Sequence, residues 1–330
     1  MFMILSNMKK SNGELIPKRL EKFRPKRPCY RKPKNEICDM TICIAAIHND
    51  GGIVGVADKM ISTDVMAFEP KGTSKKIFAL APGIFALNAG HVAIQAEIME
   101  SMQASFNREK AKGRPERYTV KELVDGYVDC YNEVKRHRIR SEIFAPWNLS
   151  EESFLDRQKE FSDVFVRDLM DQVDRFVLPD IATIITGVDI STGQVEPHIY
   201  CIKCSYGKIS IECCDSVGYA AIGSGAYHVE SYFMFSKFTR HFSMPTALAL
   251  CYFAKRRSEI APNVGKETDM FLLGPPIGHS VNLEKILDYK MLAEMNDYIV
   301  SNEQSVTEGA FEKIAEGLKG NLAVYPIVIN

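Results

Sequence analysis

From Thr41 onward, apolar runs separated by turn residues predict two β-hairpins. The first pair of apolar runs is rich in β-branched residues and is joined by Asn49-Asp50-Gly51-Gly52, a cluster typical of a tight turn. The second pair is joined around Ala81-Pro82. The predicted strands are Ile42–Ile47 and Ile53–Ala57 in the first hairpin, and Lys76–Leu80 and Gly83–Ala89 in the second.

Helical periodicity follows the second hairpin. Apolar positions spaced three and four apart predict one helix from about His91 and a second after Thr119, with Glu122 placed to complete an N-terminal capping box. Further on, the pattern predicts strands at Ile181–Val188, Glu196–Cys204, Ile209–Cys214, Val217–Ile222 and Asp269–Leu273, and helices at Gly223–Phe238 and Pro245–Ile260. Strands and helices in segregated runs favour two sheets with helices on their outer faces over a βαβ alternation.

Two further segments lie outside these predicted strands and helices. Residues 136–178 are charged and mostly helical in pattern, which predicts a helical insertion. Residues Leu283–Leu318 predict a C-terminal helical extension, and Leu322–Ile329 a closing strand.

The first 40 residues differ from the rest. Residues 1–39 hold eleven Lys or Arg against four Asp or Glu, include four prolines and lack sustained periodicity. They are typical of a disordered leader or a propeptide. An alternative is that Met40 is the true start and that the upstream segment is mis-annotated, in which case removal of Met40 would expose Thr41. Nucleic-acid binding by this basic stretch is disfavoured, since few aromatic residues are interleaved with the charges.

Composition narrows the class of protein. The chain of 330 residues is 46% hydrophobic and 25% charged, which is typical of a globular protein with a substantial core. We expect no membrane span, because no apolar run approaches about 18 residues. Nine cysteines without an export signal favour reduced thiols and a cytoplasmic location.

Five short motifs occur in a definite order. They are Thr41 at the start of the first strand, Asp58 at the end of its partner, the pair Lys75-Lys76, the run Leu87-Asn88-Ala89-Gly90-His91, and Ala221-Ile222-Gly223-Ser224-Gly225. In order and spacing they resemble the proteasome-type N-terminal nucleophile (Ntn) hydrolases, and the bacterial proteasome-related peptidases in particular. The resemblance covers roughly residues 41–275.

The resemblance implies a role for each motif. Thr41 would be the nucleophile and its free α-amine the base. Lys76 would lower the pKa of the Thr41 hydroxyl, Asp58 would hold Lys76 charged, the Gly90 N–H would donate to the oxyanion, and Ser224 would position the amine. Ser74, Asn88 and Val92 would line the substrate pocket. One departure is that Ser258 or Glu259, and then Pro262, stand where the family carries an Asp and a Ser that support the amine.

Other reactive residues favour structural roles. Cys201 and Cys204 with Cys213 and Cys214 suggest zinc, but a strand would point Cys201 and Cys204 to opposite faces, so buried thiols are favoured. A core thiol is likewise favoured for Cys43. His91 at a helix start is more often a cap than a reactive group.

The resemblance also implies an α+β fold of four αββα layers and a threonine peptidase without metal or organic cofactor. It implies a closed homo-oligomeric ring that acts on peptides or unfolded proteins, with an ATPase unfoldase left open as a partner. We expect no nucleic-acid partner. Two alternatives stay open: a catalytically silent proteasome-like subunit, which a retained leader would favour, and an Ntn amidase acting on a small metabolite.

Overall fold

The computed structural model describes residues 41–62, 67–68, 76–113, 118–191, 194–274 and 284–286. They form a mixed α+β structure with two five-stranded antiparallel sheets, a short two-stranded ribbon and six α-helices in the described part. The strands are β1 (Cys43–Ile47), β2 (Ile53–Asp58), β3 (Ile61–Ser62), β4 (Ala67–Phe68), β5 (Ile77–Ala81), β6 (Ile84–Gly90), β7 (Ile181–Ser191), β8 (Gln194–Ser205), β9 (Lys208–Cys213), β10 (Tyr219–Ile222), β11 (Thr268–Leu273) and β12 (Glu284–Ile286). The helices are α1 (Val92–Ala111), α2 (Val120–Ile139), α3 (Glu151–Asp156), α4 (Asp163–Arg175), α5 (Ala226–Phe235) and α6 (Met244–Ser258).

The first sheet has the strand order β10-β1-β2-β11-β12. Its centre is the predicted first hairpin, in which Cys43 pairs with Ala57 and Ile47 with Ile53. β1 is apolar throughout because both of its faces are buried: Cys43, Ala45 and Ile47 face one core cluster, while Ile44 and Ala46 face another.

The second sheet has the order β5-β6-β7-β8-β9. Its register pairs Gly90 at the end of β6 with Ile181 at the start of β7. A buried cluster joins the two sheets, and its largest contact stacks the rings of Phe85 and Phe271 with centroids 4.2 Å apart. The two sheets therefore pack directly against each other.

Helices pack against both sheets. On the first sheet, Val229 of α5 and Leu250 of α6 pack in one cluster with Ile44 and Val54. On the second, Thr183 of β7 contacts Gln95 of α1 and Tyr127 of α2. The predicted capping box of α2 is confirmed, since Glu122 accepts from the Thr119 N–H at 2.8 Å and Thr119 accepts from the Glu122 N–H at 3.2 Å.

Residues 135–177 form a compact unit of their own among the described residues. Helices α3 and α4 occupy much of it, as the charged helical pattern predicts. Its core is aromatic: Phe154 contacts Phe144 and Phe161, and Trp147 meets Phe165 edge-on.

Two predictions about helices were wrong. Helix α5 begins at Ala226 rather than Gly223, because Gly223 has φ +101°, which an α-helix cannot contain. Residues Glu284–Ile286 form a strand instead of the start of a helix, because Ile286 pairs with Phe271 at the edge of the first sheet. The remainder of the predicted C-terminal helix and the closing strand lie outside the described residues. None of the described helices is both long enough and apolar enough to cross a membrane.

Candidate active site

Thr41 and Asp58 lie side by side at one end of the first hairpin. The Thr41 hydroxyl donates to Asp58 Oδ1 at 2.5 Å, and the adjacent Ile42 N–H donates to the same oxygen at 2.9 Å. The antiparallel register, with Cys43 opposite Ala57, brings the start of β1 to the end of β2. A hairpin turn is therefore sufficient to unite two residues that are 17 positions apart.

Asp58 is held rigidly. Its second oxygen, Oδ2, accepts from the Met60 N–H at 3.2 Å and from the Gly265 N–H at 2.9 Å. Together with Thr41, Ile42 and Lys76, these donors surround a carboxylate that is only 1% exposed. Such a set of donors satisfies a buried carboxylate and fixes its orientation.

Lys76 reaches the same point from the second sheet. It lies immediately before β5, where its carbonyl accepts from the Asn88 N–H at 2.9 Å. Its Nζ donates to the Thr41 hydroxyl oxygen and lies 2.6 Å from Asp58 Oδ1. The Lys76 side chain is 12% exposed, so the ion pair is largely shielded from water. A cation placed against a hydroxyl lowers the free energy of its alkoxide form.

The Thr41 carbonyl is fixed from a third direction. The Gly225 N–H donates to it at 3.4 Å and Ser224 Oγ at 3.5 Å. Gly223 approaches so closely that a Cβ there would lie 2.2 Å from the carbonyl oxygen. Glycine is needed at position 223 both for this approach and for the positive φ.

Gly90 adjoins this group through β6. Cys43 Sγ contacts the Asn88 carbonyl at 3.4 Å, which ties the start of β1 to β6 two residues before Gly90. Gly90 has φ +102° and is followed by His91, whose Nδ1 accepts from the Ile94 N–H and caps α1. The structure thus brings Thr41, Asp58, Lys76 and Ser224 into direct contact and places Gly90 on the neighbouring strand.

A scan against models of known protein families finds no match for this chain, and neither does a search of curated proteins. The site is therefore interpreted from its residues alone.

The three predicted pocket residues differ in environment. Ser74 lies outside the described residues. Val92, the first residue of α1, is 48% exposed. Asn88 is buried, with Oδ1 accepting from Thr183 Oγ1 at 3.0 Å, and its Nδ2 is a buried nitrogen without a hydrogen-bond partner. Asn88 therefore belongs to a polar network with α1 and α2.

The segment after α6 contains contacts that the sequence did not reveal. Ser258 is buried and donates to the Lys255 carbonyl at 2.6 Å, while Glu259 pairs with Lys255 at 2.7 Å. At the Pro262 position, the backbone carbonyl accepts from Ser224 Oγ at 3.3 Å. A backbone carbonyl carries no signal in the residue type, but a lysine within the apolar run of α6 is an anomaly that could have drawn attention to this segment.

Within the described part of the chain, the cysteines are buried thiols with one clear exception. Burial raises the pKa of Cys43 to about 12 and that of Cys201 to about 11, whereas Cys213 is exposed. Among the described residues, no three His, Cys, Asp or Glu side chains are grouped so as to hold a metal ion.

A cavity of about 250 Å³ borders the site. Its walls include Gly223, which touches Thr41, and Ile181, which pairs with Gly90. Lys203, Asp180 and Glu230 give it charged groups of both signs. Thr41 is not among the lining residues, so the cavity adjoins the site only through Gly223 and Ile181.

Proposed function

We propose that this protein is a threonine-dependent amide-bond hydrolase, most similar in its chemistry to the proteasome-like Ntn peptidases. The observation that carries the proposal is the Thr41 hydroxyl, which contacts both the Lys76 ammonium and the Asp58 carboxylate at the start of β1. An ordinary strand-edge threonine needs neither partner. A buried cation beside a hydroxyl is an arrangement that activates a nucleophile.

In the proposed reaction, the Thr41 hydroxyl oxygen attacks the carbonyl carbon of an amide. The proton passes to the Thr41 α-amine, which has an ordinary pKa of about 7.7–8.0 and so exchanges protons near neutral pH. Lys76 stabilises the developing alkoxide, and the Gly90 N–H donates to the oxyanion. Collapse expels the amine product, which takes the proton, and leaves an ester on Thr41. Water then hydrolyses the ester and restores the hydroxyl.

This chemistry requires that Thr41 be the first residue. While Met40 is attached, the Thr41 nitrogen belongs to a peptide bond and cannot act as a base. The proposal therefore includes removal of residues 1–40, or synthesis from Met40 followed by removal of that methionine. Ser224 and Gly225, which contact the Thr41 carbonyl, would hold the new terminus in place.

The packing supports the four-layer αββα arrangement that we propose for the fold. The order would be α5 and α6, the first sheet, the second sheet, then α1 and α2. Assembly into a closed homo-oligomer that acts on peptides or unfolded proteins is part of the proposal. Exposed apolar side chains on α5, namely Tyr227, Met234 and Phe235, support a protein contact there. A partner ATPase would be needed if the substrates are folded.

The experiment compares purified chains that begin at Thr41. Their hydrolysis of a panel of fluorogenic peptides is measured for the wild type, Thr41→Ser and Thr41→Ala, with the exposed Thr239→Ala as the matched control. We expect Thr41→Ser and Thr239→Ala to hydrolyse peptides and Thr41→Ala to lose about 10³-fold or more. Equal rates in Thr41→Ala and the wild type would overturn the proposal.

A catalytically silent subunit is the second candidate, and one observation favours it. In the full chain Thr41 is only 2% exposed, so its hydroxyl is shielded from solvent. The silent role predicts that protein from the native host retains residues before Thr41. It also predicts that the Thr41-first chain hydrolyses none of the peptides.

A further inference from the structure

Lys255 is a buried cation in an apolar helix. It lies in the last turn of α6, among Leu250, Phe253 and Ala254, and is 0% exposed. Its Nζ donates to Glu259 Oε1 at 2.7 Å and to the Lys266 carbonyl at 2.6 Å. Burial lowers the pKa of Lys255, whereas the hydrogen bond and charge of Glu259 and the charge of Asp58 oppose that change. Burying a charge is costly unless it is paired and hydrogen-bonded, and here Glu259 and the Lys266 carbonyl supply those partners.

The segment that Lys255 anchors contacts the candidate site twice. At one end, the Pro262 carbonyl accepts from Ser224 Oγ at 3.3 Å. Near the other end, the Gly265 N–H donates to Asp58 Oδ2 at 2.9 Å. Lys255 Nζ donates to the carbonyl of the following residue, Lys266. A displacement of this short segment would therefore disturb both groups that flank Thr41.

We propose that Lys255 and Glu259 form a positioning pair that holds residues 262–266, so that Gly265 orients the Asp58 carboxylate and Pro262 orients the Ser224 hydroxyl. Neither residue touches the reacting atoms. Glu259 fixes the Lys255 ammonium and also accepts from Arg256 at 2.9 Å, which ties the pair to α6. The inference rests on the proposed function for its effect on rate, but the holding of the segment can be measured independently.

The test uses Thr41-first chains carrying Lys255→Met, Lys255→Gln or the control Lys208→Met, which removes an exposed lysine at the start of β9. Lys255→Met removes both charge and donor, whereas Lys255→Gln keeps an N–H donor. We expect Lys255→Met to lower kcat about 10- to 100-fold with little change in KM, because mispositioning affects the transition state more than binding. Lys255→Gln should recover part of this loss, and Lys208→Met should match the wild type.

The pH profile separates positioning from a general loss of stability. In the proposed mechanism the acid limb of kcat/KM reports protonation of the Thr41 α-amine. In Lys255→Met this limb should move to higher pH, because the site loses the nearby positive charge of Lys255 and the amine then takes up a proton more readily. A merely structural role would lower the unfolding temperature and leave this limb in place. A folded Lys255→Met with the wild-type kcat and the wild-type acid limb would overturn the proposal.

Hydrogen exchange keeps the two proposals distinguishable. Exchange of the backbone amides of residues 259–268 should be faster in Lys255→Met than in the wild type and unchanged in Lys208→Met. The wild type could lack peptidase activity while exchange is still faster in Lys255→Met. That result would support the positioning of the segment and refute the proposed function. Unchanged exchange would refute the positioning.

If Lys255→Met does not fold, Glu259→Gln takes its place. Its amide oxygen still accepts from Lys255, but the charge that fixes the ammonium is lost. We expect the same changes in kcat and exchange, at a smaller amplitude. Wild-type behaviour of a folded Glu259→Gln in both measurements would overturn the pair.

Discussion

Asp58 and Lys76 join the two sheets by an ion pair of 2.6 Å between Oδ1 and Nζ. Asp58 ends the central strand β2 of the first sheet, and Lys76 lies immediately before the edge strand β5 of the second. The Thr41 hydroxyl contacts both groups. The geometry of the candidate nucleophile therefore depends on the packing of the two sheets as well as on the first hairpin.

Replacement of Asp58 by Asn should damage both stability and activity. The change leaves Lys76 without its buried partner and presents an amide to the N–H groups of Ile42 or Gly265. We expect the free energy of unfolding to fall by about 3 kcal/mol, measured by urea denaturation, and peptide hydrolysis to be lost. The control is Asp269→Asn, which breaks the more exposed pair with Lys59 and should cost less than about 1 kcal/mol. Similar losses in both variants would contradict the special role of Asp58.

Gly223→Ala tests the close approach to the Thr41 carbonyl. The added Cβ would collide with the carbonyl oxygen and would impose a positive φ on alanine. We expect a loss of about 1–3 kcal/mol in the free energy of unfolding, together with a fall in kcat of about 100-fold. The matched control is Gly126→Ala in α2, where a Cβ meets nothing within 4 Å. This control should raise stability by about 0.5–1 kcal/mol. Wild-type kcat in Gly223→Ala would show that the approach is dispensable.

Much of this site could be predicted from the sequence because it depends on local patterns. Thr41 and Asp58 are brought together by one hairpin, whose strands follow from apolar runs around Asn49–Gly52. Lys76 and Gly90 likewise belong to one hairpin, β5–β6. The Gly-Ser-Gly run was predicted to begin a helix, but Gly223 has a positive φ and follows the end of β10.

The remaining contacts could not be predicted, because they involve backbone groups or distant partners. The Gly265 N–H and the Pro262 carbonyl reach the site only through the fold, and residue type does not encode such contacts. A helix was expected at Glu284–Ile286, but these residues form β12, which pairs with β11. Such long-range pairing overrides the local helical pattern. Asn88 was expected at the base of a substrate pocket, but its contact with Thr183 depends on strand register.

His198 should make stability depend on pH. Its Nδ1 lies 2.7 Å from Asp215 Oδ2, and its Nε2 lies 3.6 Å from Asp189 Oδ2. The hydrogen bond to Asp215 raises the pKa of His198 above its ordinary 6.5. Burial opposes this change, whereas the negative charges of Asp215, Asp189 and Glu196 add to it. Since the folded state binds the proton more tightly, the stabilisation is complete below pH 6.5 and is lost as the pH rises through the folded pKa.

The measurement is the free energy of unfolding of the wild type and His198→Gln between pH 5.5 and 9, by urea denaturation. We expect the difference between the two proteins to be largest at the acid end and to shrink toward pH 9. Asp215→Asn should weaken the same dependence, because it removes the partner responsible for the raised pKa. A difference that stays constant over this range would contradict the account.

The thiols should separate into reactive and protected classes. A chain beginning at Thr41 has seven cysteines, of which Cys213 is exposed and the other six are buried. Burial raises the pKa of Cys43 to about 12, so its reactive thiolate is scarce at pH 8. We expect iodoacetamide to modify Cys213 first, to spare Cys43 and to leave peptide hydrolysis intact, as measured by peptide mass mapping and by activity. Rapid modification of Cys43 would contradict this account of the thiols.

The most direct test of the central claim is the intact mass of the protein after exposure to a peptidyl β-lactone. Attack by a hydroxyl opens the lactone and leaves an ester that adds the whole reagent mass. We expect one adduct on the Thr41-first chain, mapped to Thr41, and none on Thr41→Ala or on a chain that retains Met40. An adduct formed equally well on the Met40-retaining chain, or one mapped to another residue, would contradict the claim that Thr41 acts through its free α-amine.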